Sequence, residues 1–165
     1  MNANQTPAPE ITIRPATPAD VEQLIAITGE VFAPVSIDAM IEKNLGKPAS
    51  SWVEIKGSVI RREMQQNPQG CFVAQMEGQV VGYVTTVVNR MASRGVIANL
   101  AVTKKAQNRG LGRRLLEHAI EHFRKIGLAQ AKIETLACNE AGQRLYPSLG
   151  FKELVRQIHY VMPLK

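Results

Sequence analysis

The stretch from Val96 to Gly127 constrains the fold of this chain more than any other. It reads as a strand, a glycine loop and a helix, in that order. Val96, Ile97, Leu100, Ala101 and Val102 form an apolar run that ends in a strand. Thr103-Lys104-Lys105-Ala106 is polar enough for a turn, and Gln107-Asn108-Arg109-Gly110-Leu111-Gly112 follows it. Leu111, Leu115, Leu116, Ala119, Ile120 and Phe123 then recur at three- and four-residue steps, which predicts one apolar stripe on an amphipathic helix. Gly127 supplies the helix stop.

A glycine loop between a strand and a helix has a physical use. The first turn of a helix carries backbone N–H groups without partners, at the positive end of the helix dipole. Glycines let a bulky anion approach that backbone, and a phosphate is the natural guest. Arg109, Arg113 and Arg114, with Lys104 and Lys105 upstream, add positive charge at the same spot. A tight turn with solvated arginines would use the same residues, so the loop alone leaves both readings open. A P-loop is excluded, because Gly112 is followed by Arg113-Arg114 and not by Lys-Ser/Thr. A dinucleotide fingerprint lacks its third glycine where Leu115 stands, although Glu134 lies near its acidic position roughly 20 residues on. The acetyl-coenzyme A pattern Gln/Arg-x-x-Gly-x-Gly/Ala is met at every defined position by Gln107 to Gly112.

Taken in order, Met1 to Glu10 is polar with two prolines and no apolar segment of a signal peptide, and is expected to be a flexible tail. Residues 11–165 are expected to form one domain. Ile11-Thr12-Ile13-Arg14 alternates as a first strand, and Thr17 or Pro18 opens a helix through about Gly29. A short helix is expected over Ser36 to Leu45, a turn at Gly46-Lys47-Pro48, and a further helix capped by Ser50 or Ser51. Glu30, Asp38, Glu42, Glu54 and Glu63 fall in this region, as an acidic acceptor pocket or as the polar faces of helices. Cys71 to Gln75 and Val80 to Val88 form a hairpin around Glu77-Gly78-Gln79. After the central helix, Ala131 to Ala137 reads as a strand, and Phe151 to Leu154 and Arg156 to Met162 as two closing strands.

A second motif lies between them. Asn139-Glu140-Ala141-Gly142-Gln143-Arg144-Leu145-Tyr146-Pro147-Ser148-Leu149-Gly150-Phe151 matches Asn-x-x-Ala-x-x-Leu-Tyr-x-x-x-Gly-Phe, except that glycine stands at 142. Asn139 is placed to cap the helix that carries Tyr146, and Pro147 directly after the tyrosine disturbs a continuing helix. With two motifs in this order, the chain resembles the GCN5-related N-acetyltransferase (GNAT) family. The resemblance implies an α/β fold of the mixed kind: a central, mostly antiparallel sheet flanked by helices, in the order β-α-α-β-β-β-α-β-α-β-β. It implies acetyl-coenzyme A as acyl donor and direct attack by a primary amine of a small molecule or peptide. It implies that Leu100, Ala101 and Val102 hold the pantetheine arm, that Gln107, Asn108, Arg109, Gly110, Leu111, Gly112 and Arg113 hold the pyrophosphate, and that Asn139 contacts the pantetheine. Tyr146 is implied near the sulfur as general acid, with Glu134, or an ordered water in its place, as general base. The family habit allows a monomer or a homodimer.

Composition trims the alternatives. The net charge of +6 falls densest around the glycine loop, and with aromatics at 5% there is no basic–aromatic interleaving of a nucleic-acid binder. No stretch approaches the roughly 20 apolar residues of a membrane span. Two cysteines make no disulfide framework, so a cytoplasmic setting is expected. His118 and His122 lie four apart on the central helix and are read as solvated, with no metal site. Cys138 is read as a small apolar filler. A non-catalytic acyl-coenzyme A sensor and a nicotinamide-dependent oxidoreductase remain the rival readings.

Overall fold

The computed structural model describes residues 10–47 and 49–164. The flexible tail expected over residues 1–10 lies outside them except for Glu10, as does Pro48 of the expected turn. The chain runs β1 (Ile11–Pro15), α1 (Val21–Val31), α2 (Ile37–Leu45), α3 (Trp52–Gln66), β2 (Phe72–Met76), β3 (Gln79–Asn89), β4 (Arg94–Val102), α4 (Leu111–Lys125), β5 (Gln130–Ile133) and α5 (Glu140–Ser148). Local chemistry sets these boundaries. Ser51 accepts from Glu54 N–H while the Glu54 carboxylate accepts from Ser51 N–H, a capping box that starts α3. Gly127, at φ +75°, lets the chain leave α4 in the left-handed conformation.

The sheet order is β1-β2-β3-β4-β5, antiparallel through β4 and parallel between β4 and β5. Helices cover both faces. Leu24, Ile27, Ile60 and Met64 of α1 and α3 pack on one face with Val73, Tyr83 and Ala101. Leu111, Leu115, Leu116, Ala119 and Phe123 of α4 pack on the other with Phe72, Ala74, Val84 and Ile97. This is the mixed, mostly antiparallel sheet between helices that the resemblance implies.

Three details differ from expectation. The family order implies two helices before β2 and three form, the additional one, α2, being the short helix expected over Ser36 to Leu45, where the Ser36 hydroxyl accepts from Ala39 N–H. β5 stops at Ile133 and does not run to Ala137, because its neighbour β4 pairs with it only as far as Ile97. The two closing strands do not form: residues 151–164 are extended and join no sheet. Apolar β-branched residues favour a strand, but a strand also needs a hydrogen-bonding neighbour, and the described residues supply none there.

Candidate functional site

β4 and β5 are paired from Arg94↔Gln130 to Ile97↔Ile133. Beyond Ile97, β4 continues to Val102 while the β5 side becomes irregular, so a gap opens between them. Thr103 N–H donates to Val81 O on β3 at 2.9 Å. Successive peptide groups of a strand face opposite edges, so the N–H and C=O of Val102 face the gap, and those of Leu100 with them. The Val102 carbonyl accepts from Gln107 Nε2 at 3.0 Å. The Gln107 side chain therefore braces the strand end against the loop.

The loop turns sharply at Asn108 and Gly110, with φ of +61° and +74°. Glycine adopts this left-handed conformation without strain, and asparagine more readily than most residues. Gly110 caps α4 without a side chain, and Arg114 N–H closes the first turn on Gly110 O at 3.1 Å. Among the described residues, no acceptor meets the N–H groups of Leu111, Gly112 and Arg113. These are donors at the positive end of a 15-residue helix. A Cβ on Gly112 would meet only Leu145, at 3.7 Å, so the protein's own packing does not demand glycine there. Arg109 reaches Met76 Sδ at 3.7 Å. Arg113 is held by Ser148 Oγ at 2.5 Å and by Glu117, and Arg114 donates to Ile11 O at 3.0 Å. The arginines thus tie the loop to α5 and β1 while keeping charge beside the open N–H groups.

α5 forms the other wall. Asn139 Oδ1 accepts from Gly142 N–H at 3.1 Å, and its Nδ2 donates to Thr135 Oγ1 at 2.9 Å. Asn139 is thereby the helix cap the sequence predicts. Tyr146 is half-buried, its ring edge-on to Phe151 with centroids 6.4 Å apart. Burial raises the phenol's pKa, partly opposed by the Thr135 hydroxyl. Pro147 does not break the helix, contrary to expectation, because α5 ends one residue later. Its missing N–H removes only one bond of the last turn. The Gly142 departure has a local cause. A Cβ there would stand 2.9 Å from Tyr146 Cε2 and 2.8 Å from Asn139 Nδ2, so glycine lets both side chains lie against the helix backbone.

Glu134 follows β5 at the mouth of the gap, exposed and paired with Lys132 Nζ at 2.6 Å. Cys138 is exposed and not an apolar filler, its thiol 3.6 Å from Pro34 O. His118 and His122 set their ring edges against Phe72, at centroid distances of 4.5 and 5.5 Å, and burial lowers the pKa of both.

Sequence reasoning missed one buried polar network. Glu63 of α3 is 7% exposed, and its Oε2 accepts from Thr85 Oγ1 and Asn99 Nδ2, both at 2.7 Å. Lys56 Nζ approaches Asn99 Oδ1 at 3.5 Å. Burial raises the Glu63 pKa, opposed by the two donors and by Lys56. A signal was present: Glu63 stands three residues after Ile60 and next to Met64, on the apolar side of its helix.

The acetyltransferase (GNAT) family model matches residues 38–151. The chain belongs to the GNAT family. The matched segment of this GNAT chain holds the gap, the glycine loop and the Tyr146 helix. The [ribosomal protein bS18]-alanine N-acetyltransferase of Escherichia coli is 36% identical over 89 residues, which span 54% of this chain and 59% of that relative. The crystal structure of the ribosomal-protein-S18-alanine N-acetyltransferase from Escherichia coli superposes with a TM-score of 0.64 at 25% identity, covering 88% of this chain and 80% of that one. The PaiA N-acetyltransferase of Thermoplasma acidophilum, solved with coenzyme A, has a TM-score of 0.71 at 20% identity, covering 87% and 90% of the two chains, which shows the shared fold. The match sets the nicotinamide reading aside.

Proposed function

We propose that this GNAT chain is an N-acetyltransferase that moves the acetyl group of acetyl-coenzyme A to a primary amine of a small molecule or peptide. One juxtaposition carries this reading: the β4–β5 gap, faced by Val102 N–H, opens beside the N–H groups that start α4 and meet no acceptor among the described residues. The gap edge at Leu100 and Val102 suits the amides of a pantetheine arm, whereas the peptide groups of Ala101 between them turn to Tyr83 on β3. The backbone from Gln107 to Arg113 suits a pyrophosphate, with Arg109 free to add charge. Asn139 Nδ2 keeps a second hydrogen beyond the one given to Thr135, which would serve the same arm.

In the reaction the amine nitrogen bonds to the thioester carbon and the C–S bond breaks. Val102 N–H donates to the carbonyl oxygen as negative charge grows there. The amine must first lose a proton, since lysine-type amines sit near pKa 10.4 and α-amines near about 7.7–8.0. Glu134, directly or through one water, takes that proton. Tyr146 returns one to the thiolate, and the burial that raises its pKa keeps the phenol protonated until then. The alanine N-terminus in the name of the bacterial relative makes an α-amine the first acceptor to test. The free thiols of Cys71 and Cys138 accord with a cytoplasmic setting.

Thermal-shift titration against acetyl-coenzyme A, coenzyme A, NADH and NADPH tests the donor. A ligand at 100 times its dissociation constant adds about 2.7 kcal/mol, and only the two coenzyme A species are expected to do so. Absence of any response would favour the non-catalytic reading. Once an acceptor is found, Tyr146→Phe with full turnover removes the acid role, and Glu134→Gln with an unchanged pH–rate profile removes the base role.

A further inference from the structure

An acceptor has to reach the thioester from the face that the coenzyme leaves free. α4 and its loop take the phosphates on one face of the sheet, so the amine comes from the face covered by α1 and α3. The turn from Phe32 to Val35 borders that approach, since Pro34 O lies 3.6 Å from the thiol of Cys138, the residue before Asn139. Ala33 of the same turn lines a cavity of about 320 Å³ together with Ala39, Glu42, Lys43 and Trp52. Lys56 stands one helical turn after Trp52 on the same side of α3.

The acids of this region are engaged in the fold. Glu30 accepts from Lys104 N–H at 2.7 Å and Glu42 from Trp52 N–H at 2.6 Å. Glu54 closes the α3 capping box, and Glu63 accepts from Thr85 and Asn99. Asp38 sits in the first turn of α2, where the helix dipole favours a carboxylate. These side chains hold helix and strand ends, and they form no acidic pocket for an amine.

Lys56 is placed differently. It is half-buried, its ammonium 5.9 Å from the centre of the Phe32 ring and donating to Asn99 Oδ1 at 3.5 Å. It forms no ion pair among the described residues. An ammonium has three N–H donors, so this one long contact leaves two for a guest. Asn99 gives its Nδ2 to Glu63 and Thr85, which turns its oxygen toward the lysine. It stands on β4 just past Ile97, where pairing with β5 ends. Lys56 is thus a cation with donors to spare, set between the Phe32 turn and the start of the gap.

We propose that Lys56 selects the acceptor by binding a carboxylate of a peptide whose N-terminal amine enters the gap, which rests on the gap holding acetyl-coenzyme A. Asn99 and Val102 are three residues apart on β4, about 10 Å at about 3.3 Å per residue. A carboxylate on the same carbon as the amine is too close to span this. An acidic side chain at the second or third position of an extended peptide spans it at about 3.3–3.6 Å per residue. The net charge of +6 draws such a peptide toward the chain.

The probes are amidated hexapeptides beginning Ala-Glu-Ala or Ala-Ala-Glu, each with its glutamine counterpart, assayed by release of the coenzyme A thiol. One glutamate peptide is expected to exceed its counterpart about tenfold in kcat/KM. Lys56→Met is expected to bring that ratio within about twofold, and Lys56→Arg to keep it. A lysine with a merely structural role would lower both peptides together and leave the ratio. If Lys56→Met does not fold, Lys56→Gln, which keeps an N–H for Asn99 and no charge, gives the same comparison. Equal rates in both wild-type pairs overturn the inference, as does a ratio that survives the loss of the charge. A thermal shift with coenzyme A separates the two failures. Stabilisation by coenzyme A with no preference for glutamate overturns the role of Lys56 alone. No stabilisation overturns the coenzyme site on which that role rests, and the role with it.

Discussion

Replacing Gly142 with alanine separates the position of the Tyr146 ring from the stability of the fold. A Cβ at 142 lies 2.9 Å from Tyr146 Cε2, 3.1 Å from Cζ and 2.8 Å from Asn139 Nδ2. Favourable carbon separations begin at about 3.5 Å, so the ring must retreat by roughly 0.6 Å. Every clashing atom is the far end of a rotatable side chain, so the ring swings and the helix stays. Alanine favours a helix over glycine by about 0.8–1 kcal/mol, while an off-rotamer swing costs about 0.5–1.5 kcal/mol. The two nearly cancel, and stability should stay within about 1 kcal/mol of the wild type. Turnover should not. Displacing a reacting group by about 1 Å costs up to about 100-fold, or roughly 2.7 kcal/mol of barrier. The assay is release of the coenzyme A thiol at saturating acetyl-coenzyme A, with urea unfolding run alongside. Gly142→Ala should lose much of its kcat, and adding it to Tyr146→Phe should cost nothing more. Turnover within twofold of the wild type would refute the reasoning. So would a full additional loss in the Tyr146→Phe background, since alanine would then be acting through something other than the tyrosine.

Three further outcomes follow from buried or crowded groups. Asp20, gripped by Arg14 at 2.7 and 2.8 Å and by Thr17, has its pKa lowered from 3.8 to about 2. Its contribution is full above pH 3.8 and is lost as pH falls through about 2, so Asp20→Asn should remove about 1–2 kcal/mol at pH 7, Arg14 being partly exposed, and flatten the acid limb of a urea-midpoint series. Glu63 has its pKa raised above 4.5 by burial, so its contribution is full below pH 4.5 and is lost as pH rises through the raised value. Glu63→Gln keeps an oxygen for Thr85 and Asn99, and should be at least as stable as the wild type at pH 7; a lower urea midpoint there would contradict this. Gly95→Ala would set a Cβ 2.5 Å from the Phe123 ring, and overpacking of this kind should lower stability by about 1–3 kcal/mol in the same assay.

The centre of the site was legible because its sequence changes period at a glycine. The apolar run to Val102 ends, steps of three and four begin at Leu111, and α4 starts there, with Gly127 just past its end. Ser51 and Asn139 were legible as caps because cap chemistry is local: each side chain binds an N–H three residues on. The closing strands expected over Phe151 to Leu154 and Arg156 to Met162 were not, since apolar residues there favour a strand but name no partner for it. The tight seat of Tyr146 on Gly142 was also hidden, because it depends on where a ring four residues along the helix comes to rest.

The least legible feature was the surplus residue in β4. Counting by twos from Ile97 puts Asn99 and Ala101 on the same face as Ile97. In the sheet Thr86 faces Ile97 and Thr85 faces Asn99, so Ala98 is a bulge. The bulge reverses the alternation: Ile97 packs toward α4, while Asn99 meets Glu63 and Ala101 joins the α1–α3 cluster. No rule of alternation predicts where a strand gains a residue. Yet this one sits where pairing with β5 ends, at Ile97↔Ile133. The bulge therefore does two things at once. It turns Asn99 into the buried carboxylate network, and it lets β4 leave β5, which opens the gap onto which Val102 N–H faces. On this argument the Glu63 network braces the strand at the point where the gap begins.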